Sequence, residues 1–320
     1  MGITNFSVFN ENASSATIEQ LNQRIDLFNN AQGMIQLSTV QRMGDFFERS
    51  EWALADAHDT IDIYATNVAR SNTEITQIQQ NDVKVQWVYG PIAWRGAEMD
   101  WIDKSESEAL TIVSGRMTDL TFLKMLNNSI GAMVSAVESN AGVTNDVSGS
   151  ANISQEAMNS TYGLMGDRQG AILGNVMHSS AYNKLIGDGL ANSAQLFTAG
   201  NVTVIDIQGK QSIVADIPSL YVTGTPDKHK ILSLKEGAIK CYDGGKLRTN
   251  LQVNNGKNMI EATFQANGNY MVSLAGYSWD ESGGGKSPLD AELLTGANWP
   301  KYVTNDKNTG GVLLVGDATL

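Results

Sequence analysis

From Glu98 to Asn140 the chain carries no proline, and Ala109, Val113, Met117, Leu120, Leu123, Leu126, Ile130, Met133 and Val137 return every three to four residues. That spacing lines one face of an α-helix. Asp103, Ser105 and Glu106 make a polar, acidic first turn, favourable at the positive end of the helix dipole. Taken from Ser105 to Glu138, the helix would be roughly 50 Å long at 1.5 Å per residue. The mean helix is about a third of that, and a compact globule of this chain length is itself only roughly 50 Å across. No second segment of similar length stands ready to pair with it. The expectation is an elongated molecule built around a single strut, with Leu120 and Leu123 turned into its core. Gly115 and Gly131 each weaken the helix by about 1 kcal/mol relative to alanine and allow a kink.

Before the strut, Val83, Val85, Trp87 and Tyr89 alternate with Asp82, Lys84, Gln86 and Val88, the period of a strand, closed by Gly90-Pro91. Phe46, Phe47 and Trp52 lie in a segment suited to be its antiparallel partner, and the polar stretch from Asn67 to Asn81 reads as a solvated loop between them. Few of these residues suit a compact core. A two-stranded excursion is marginal alone and needs a neighbour to pack on, which points to assembly. Nearer the N-terminus, Ile18, Leu21, Ile25 and Phe28 follow a weak Thr17/Gln20 capping box and predict a short amphipathic helix on a polar arm.

After Asn140 the stretch AGVTNDVSGSAN marks a boundary. Beyond it, Gln155 to Gly166 reads as helix, Gly170 to Met177 as a buried strand, and Ser179 to Ile186 as a short helix capped by Ser179 or Ser180. Val202 to Ile207 and Ser212 to Val214 read as strands, and Ile217 to Val222 as an extended edge. Ala238 to Tyr242, the pair Met259 to Gln265 and Tyr270 to Ala275, and Gly311 to Val315 complete the strands. The fold class is α+β.

Chemistry is sparse. His58, His178 and His229 are far apart, with no H-x-x-x-H spacing and no G-x-S-x-G elbow. The run Ser282 to Ser287 resembles a phosphate loop, but Asp280 stands where that loop needs a glycine, so a glycine turn is the better reading. No calcium loop occurs, and the single cysteine, Cys241, excludes an intrachain disulfide and a cysteine-cluster metal site. The expectation is no catalytic, cofactor-binding or metal residue, and no enzyme. Net charge is -12, against the basic face of a specific nucleic-acid reader. No run of about 18 apolar residues is present to span a membrane, and the N-terminus lacks the pattern of a signal peptide. With 42 % hydrophobic residues, the 320-residue chain has enough apolar side chains for a core. Together these predict a soluble, acidic protein made in the cytoplasm.

Four stretches resemble the major capsid proteins of tailed bacteriophages, the Hong Kong 97 fold. They are Gly170-AILGNVMHSSAYNKLIGDGL, Ile231-LSLKEGAIKCYDGG with its Gly237-Ala238 pair, Asn269-YMVSLAGYSWDES with Gly276, Tyr277 and Trp279, and Ser287-PLDAELLTGANWPKYVTNDKNTGGVLLV with Asn298-Trp299 and Lys307. Their order carries the resemblance: arm, long hairpin, long helix, mixed domain, late-returning strands. The resemblance implies an N-terminal arm at 1–39, an extended two-stranded loop at 40–96, and the spine helix of a peripheral domain at 97–140. It further implies a mixed α/β axial domain at 141–255, with 256–320 supplying return strands of the peripheral domain and the C-terminal tail.

Functionally the resemblance implies a coat protein assembling into the pentamers and hexamers of an icosahedral shell around packaged double-stranded DNA. It implies a separate scaffolding protein, a portal at one vertex, room for a decoration protein, no membrane partner, and a virion built in the bacterial host's cytoplasm. The acidic balance suits a shell that must let DNA slide in without sticking, and does not say which face carries the acid. Lys84 is the only lysine between residues 40 and 96, and no residue is assigned to loop cross-linking. The rival in the same fold is an encapsulin-like nanocompartment shell. The rival in another class is an α+β hydrolase using His178.

Overall fold

The computed structural model describes residues 17–22, 33–38, 46–52, 60–95 apart from 68, 71, 73, 75 and 76, then 106–192, 210–244, and 247–318 apart from 256, 257 and 259. Two six-stranded sheets and one long helix organise these residues. The first sheet runs β1 (Ile35–Ser38), β9 (Ile239–Asp243), β11 (Glu261–Leu274), β3 (Gln77–Arg95), β2 (Phe46–Trp52), with β10 (Arg248–Asn254) also paired to β11. The second runs β4 (Thr144–Asp146), β12 (Gly311–Asp317), β8 (Lys228–Lys235), β5 (Ile172–Met177), β6 (Gln211–Val214), with β7 (Tyr221–Val222) on β8. The helices are α1 (Glu106–Glu138), α2 (Gln155–Gly163), α3 (Ser179–Asn192) and the short turns α4 (Glu281–Gly284) and α5 (Asp290–Leu293).

The strut is present: α1 is one unbroken helix of 33 residues. Its faces are not those expected. Ile130, Met133 and Val137 are buried, as the periodicity predicts, but Leu120 and Leu123 lie outside, 38 % and 50 % exposed, with Ile112 at 64 %. Met117 is buried as predicted, but around it the inward face is Ser114, Thr118, Thr121, Met125 and Asn128. These positions repeat at helical spacing too, but polar residues disguise them. Their polar groups are satisfied locally: Thr118 Oγ1 donates to Ser114 O at 2.9 Å, and Asn128 Nδ2 donates to Tyr270 Oη at 2.7 Å and to Asp290 Oδ1 at 2.8 Å. Burial pushes the Asp290 carboxyl up, but the bonds from Lys124 and Asn128 outweigh it and hold the group below its ordinary range.

The hairpin of β2 and β3 is antiparallel, with Phe46 opposite Val83 and Trp52 opposite Gln77. Strand β3 is longer than predicted at both ends. Gln77 to Asn81, placed in the solvated loop, pair with β2. At the other end Gly90-Pro91 does not close the strand. Gly90 takes φ of 91°, and the register with β11 shifts there, two residues facing one, so the pair is absorbed in a bulge. A Cβ at Gly90 would sit 2.6 Å from Phe264 O, so the bulge requires glycine. Val83 and Val85 also enter the core, against the expectation that the hairpin contributes little to it.

Strand β11 replaces the predicted pair of shorter strands. Asn267-Gly268-Asn269 looks like a turn but stays extended, because the Trp87 ring lies over Gly268, where an added Cβ would be 2.4 Å from Trp87 Cζ2. The predicted edge at Ile217 to Val222 is a 3-10 turn (Pro218–Leu220) followed by β7, with Pro218 starting the turn at its preset φ. The predicted glycine turn at Ser282 is the helical turn α4, with Asp280 accepting from Ser282 N and Gly284 seated under the Trp279 ring. Helix α3 runs on to Asn192, beyond the predicted Ile186. Ile25, Phe28 and the predicted strand Val202 to Ile207 lie outside the described residues. Residues 17–22 are helical, with Leu21 packed on the core.

The core joins the second half of α1 to both sheets. Strand β12 is buried throughout and lies between β4, parallel, and β8, antiparallel. Cys241 is within this core, and burial pushes its thiol up to about 12, which keeps it protonated and inert.

Candidate functional site: a histidine cluster and two apolar surfaces

His178 follows the last residue of β5 and stands immediately before α3, where a helix leaves its first backbone N–H groups without partners. Its Nδ1 accepts the Ser180 N–H at 3.2 Å and lies 2.8 Å from Ser180 Oγ, while Asp216 Oδ1 accepts from Ser179 N at 3.3 Å. The helix is thus capped by His178 and Asp216 rather than by Ser179 or Ser180. Ser180 Oγ also lies 2.8 Å from His229 Nε2 on β8, and His178 Nε2 lies 3.4 Å from Asp216 Oδ1. Tyr221 stands beside both imidazoles, its ring 5.3 Å from His178 and 5.2 Å from His229, and its hydroxyl donates to Asp227 Oδ2 at 2.5 Å. The hydrogen bonds from Ser179 hold Asp216 below the ordinary carboxylate range, and that from Tyr221 does the same for Asp227.

Of the groups near His178 in sequence, the fold brings in Ser180 and, through its amide, Ser179. Asp167 is elsewhere, paired with Lys307 at 2.7 Å. The side chain of Asp188 lies outside the described residues. His229, Asp216 and Tyr221 were missed by sequence reasoning, because only the pairing of β7 and β8 beside β5 brings them together. A serine, an imidazole and a carboxylate do meet here, so the hydrolase reading gains a contact it lacked in sequence. The imidazole nitrogen facing Ser180 Oγ also accepts the Ser180 amide, which is a capping role.

The second feature is apolar surface. Ile112, Leu120 and Leu123 lie on one side of α1, opposite its buried face, with Arg116 between Ile112 and Leu120. At the far end of the hairpin, Ile61, Ile63 and Tyr64 are 66 %, 78 % and 92 % exposed. Isolated exposed apolar residues are ordinary, but clusters mark contact surfaces. Among the described residues there is no cluster of three potential metal ligands and no helix long and apolar enough to cross a membrane.

No curated protein matches the chain. Among solved structures it is similar to a chain of the Cyanophage Pam1 capsid asymmetric unit, with 10 % identity and TM-score 0.56, covering 89 % of this chain and 88 % of that one. A chain from Mycobacterium phage Cain is similar at 11 % identity and TM-score 0.56, covering 89 % of each. A chain from the capsid of Ralstonia phage GP4 is similar at 11 % identity and TM-score 0.51, covering 91 % of each. At such identities the likeness shows the fold, which is that of phage capsids. The family model described as major capsid protein 13-like matches residues 5–313. The chain therefore belongs to the Gp13-like family of major capsid proteins, and is a coat protein whose copies form a shell.

Proposed function

We propose that the shell is the icosahedral head of a tailed phage, built of pentamers and hexamers and enclosing packaged double-stranded DNA. The observation that carries the reading is the outward apolar face of α1 together with the apolar tip of the hairpin. A subunit that turns leucines outward along half its longest helix, while burying threonine and asparagine on the other side, is organised for neighbours. In this reading residues 1–39 are the arm, 40–96 the extended loop lying over an adjacent copy, and 97–140 the spine of a peripheral domain. Residues 141–255 are the axial domain and 256–320 the returning strands and tail. Assembly takes place in the host cytoplasm with a separate scaffolding protein, a portal at one vertex, and room for a decoration protein. The excess of acid, net charge -12, suits a shell that lets the genome slide in without sticking. The reading assigns no catalytic, cofactor or metal residue.

Expression with its scaffolding partner, followed by sedimentation and electron microscopy, tests this. The expected result is closed megadalton particles. Replacing Ile61, Ile63 and Tyr64 together by serine leaves the subunit folded by circular dichroism, since all three are exposed, and reduces particle yield severely. Unchanged assembly of that variant would remove the loop from the subunit contact. His178→Gln leaves particles of normal size, with a stability loss of about 0.5–1.5 kcal/mol from the altered hydrogen bonds. A hydrolytic activity of the purified particle abolished by His178→Gln would favour the enzyme instead, and packaged protein cargo without DNA would favour a nanocompartment.

A further inference from the structure

With each contact around Ser180 taken as a hydrogen bond, one arrangement of protons follows. The Ser180 amide donates into His178 Nδ1, so that nitrogen carries no hydrogen and the neutral ring's proton is on Nε2, facing Asp216. The Ser180 hydroxyl, 2.8 Å from the same nitrogen, then donates to it as well. Its oxygen accepts from His229 Nε2 at 2.8 Å, which leaves His229 Nδ1 bare. His229 is 3 % exposed, and that Nδ1 is buried with no hydrogen-bond partner among the described residues. Two neutral imidazoles and one hydroxyl thus make a chain from Asp216 to β8.

We propose that His178, Ser180 and His229 form an acid-release latch, which pins the first turn of α3 to β8 while both imidazoles are neutral and lets go when either takes a proton. A proton on His178 Nδ1 sets a donor against the Ser180 amide and removes the helix cap. A proton on His229 Nδ1 puts an N–H into a buried position with no acceptor among the described residues. With both charged, two cations face each other across Ser180.

The charged and titratable groups around the latch act in both directions. Lys184 on α3 opposes a charge on His229, as His178 does, while Asp227 favours one. Asp216, before β7, faces His178, and Tyr221 on β7 is neutral and engaged with Asp227. Along β8, Lys230 pairs with Glu138 at 2.7 Å, and Lys228, opposite Asp317 on β12, contributes with Lys230 to the field at Asp146. Burial is the largest effect on His229 and holds its ring below the ordinary value of 6.5. The unfolded chain therefore takes up that proton first. The ring's contribution to folding is complete above pH 6.5 and declines as pH falls below that value towards the folded pKa. In β12 the apolar run Val312 to Leu314 pairs with Ser233 to Ile231 of β8, away from His229, and carries no titrating group of its own.

Hydrogen exchange on assembled protein at pH 7.5 and 5.5, corrected for intrinsic rates, tests the latch. The expected result is that protection at Ser180 to Lys184 drops on the order of tenfold at the lower pH, while protection at Val312 to Leu314 of β12 drops by a smaller factor. In the double variant His178→Asn with His229→Gln, which has no titrating ring while the Asn oxygen still accepts the Ser180 amide and the Gln amide can still donate to Ser180 Oγ, the drop shrinks to within about twofold. Exchange of the imidazole C2 proton, read by mass spectrometry in the wild-type samples, gives His229 a midpoint below 6.5. Protection retained at pH 5.5 in the wild type, an equal drop in the double variant, or a His229 midpoint at or above 6.5 would each overturn the proposal.

Discussion

Met133→Asp yields no folded subunit, whereas Leu120→Asp with Leu123→Asp yields a folded subunit that assembles poorly. Met133 is fully buried in the half of α1 that runs between the sheets, and a Cβ added to Gly310 would come within 2.8 Å of Met133 Cε and 3.1 Å of Ala238 Cβ. A carboxylate there has no cation to pair with among these packed groups. Burying an unpaired charge costs several kcal/mol even after relaxation, against a total stability of about 5–15 kcal/mol for a domain. Leu120 and Leu123 sit on the opposite side of the helix, half in solvent. Exposed substitutions usually change stability by only about 0.5 kcal/mol, so the double variant keeps its circular dichroism and melting profile. What it loses is apolar surface, and with it particle yield on a sedimentation gradient. The opposite pattern, a tolerated Met133→Asp and an unfolded leucine pair, would falsify the assignment of the two faces of α1.

Trp299→Ala destabilises the subunit by about 3–5 kcal/mol, the usual cost of truncating a buried tryptophan. Trp299 is fully buried and meets Trp279 edge-on, ring centroids 4.9 Å apart at 66°. Each indole N–H is satisfied: Trp299 Nε1 donates to Leu293 O and Trp279 Nε1 to Gly285 O, both at 2.9 Å. The Trp279 amide donates in turn to Asn81 O on β3 at 2.9 Å, so the pair ties α4 and α5 to the hairpin strand. Truncation therefore removes an aromatic contact, leaves a cavity, and strips the Leu293 carbonyl of its donor. The melting temperature should fall on the order of 10 °C. Trp299→Phe keeps most of the packing and loses the hydrogen bond, for a smaller cost of about 1–3 kcal/mol. A cost below about 1 kcal/mol for the alanine variant would show that the pair does not anchor these segments.

Local pattern in the sequence determined the elements that depend on few neighbours. Helix α1 follows from a proline-free run at helical spacing, and β3, β5, β9 and β12 follow from alternation or from short apolar runs. The α+β class and the order of segments needed nothing more. The tertiary structure decided the choices in which one residue's environment outweighs its own preference. Gly90-Pro91 and Asn267-Gly268-Asn269 carry turn chemistry, but a bulge opposite Gln265 and the ring of Trp87 keep both within continuous strands. The two faces of α1 are the clearest case. Hydrophobicity alone assigns Leu120 and Leu123 to the core, because a single chain is expected to bury its own leucines. The fold buries Thr118, Thr121 and Asn128 instead, with Thr118 bonded to nearby backbone and Asn128 to a side chain, and leaves the leucines outside. The latch was invisible for a related reason: His178 and His229 are distant in sequence, and only the pairing of β5 with β8 sets both rings on one serine. Periodicity reports which residues share a face, but which face turns inward is settled by the partners that tertiary packing supplies.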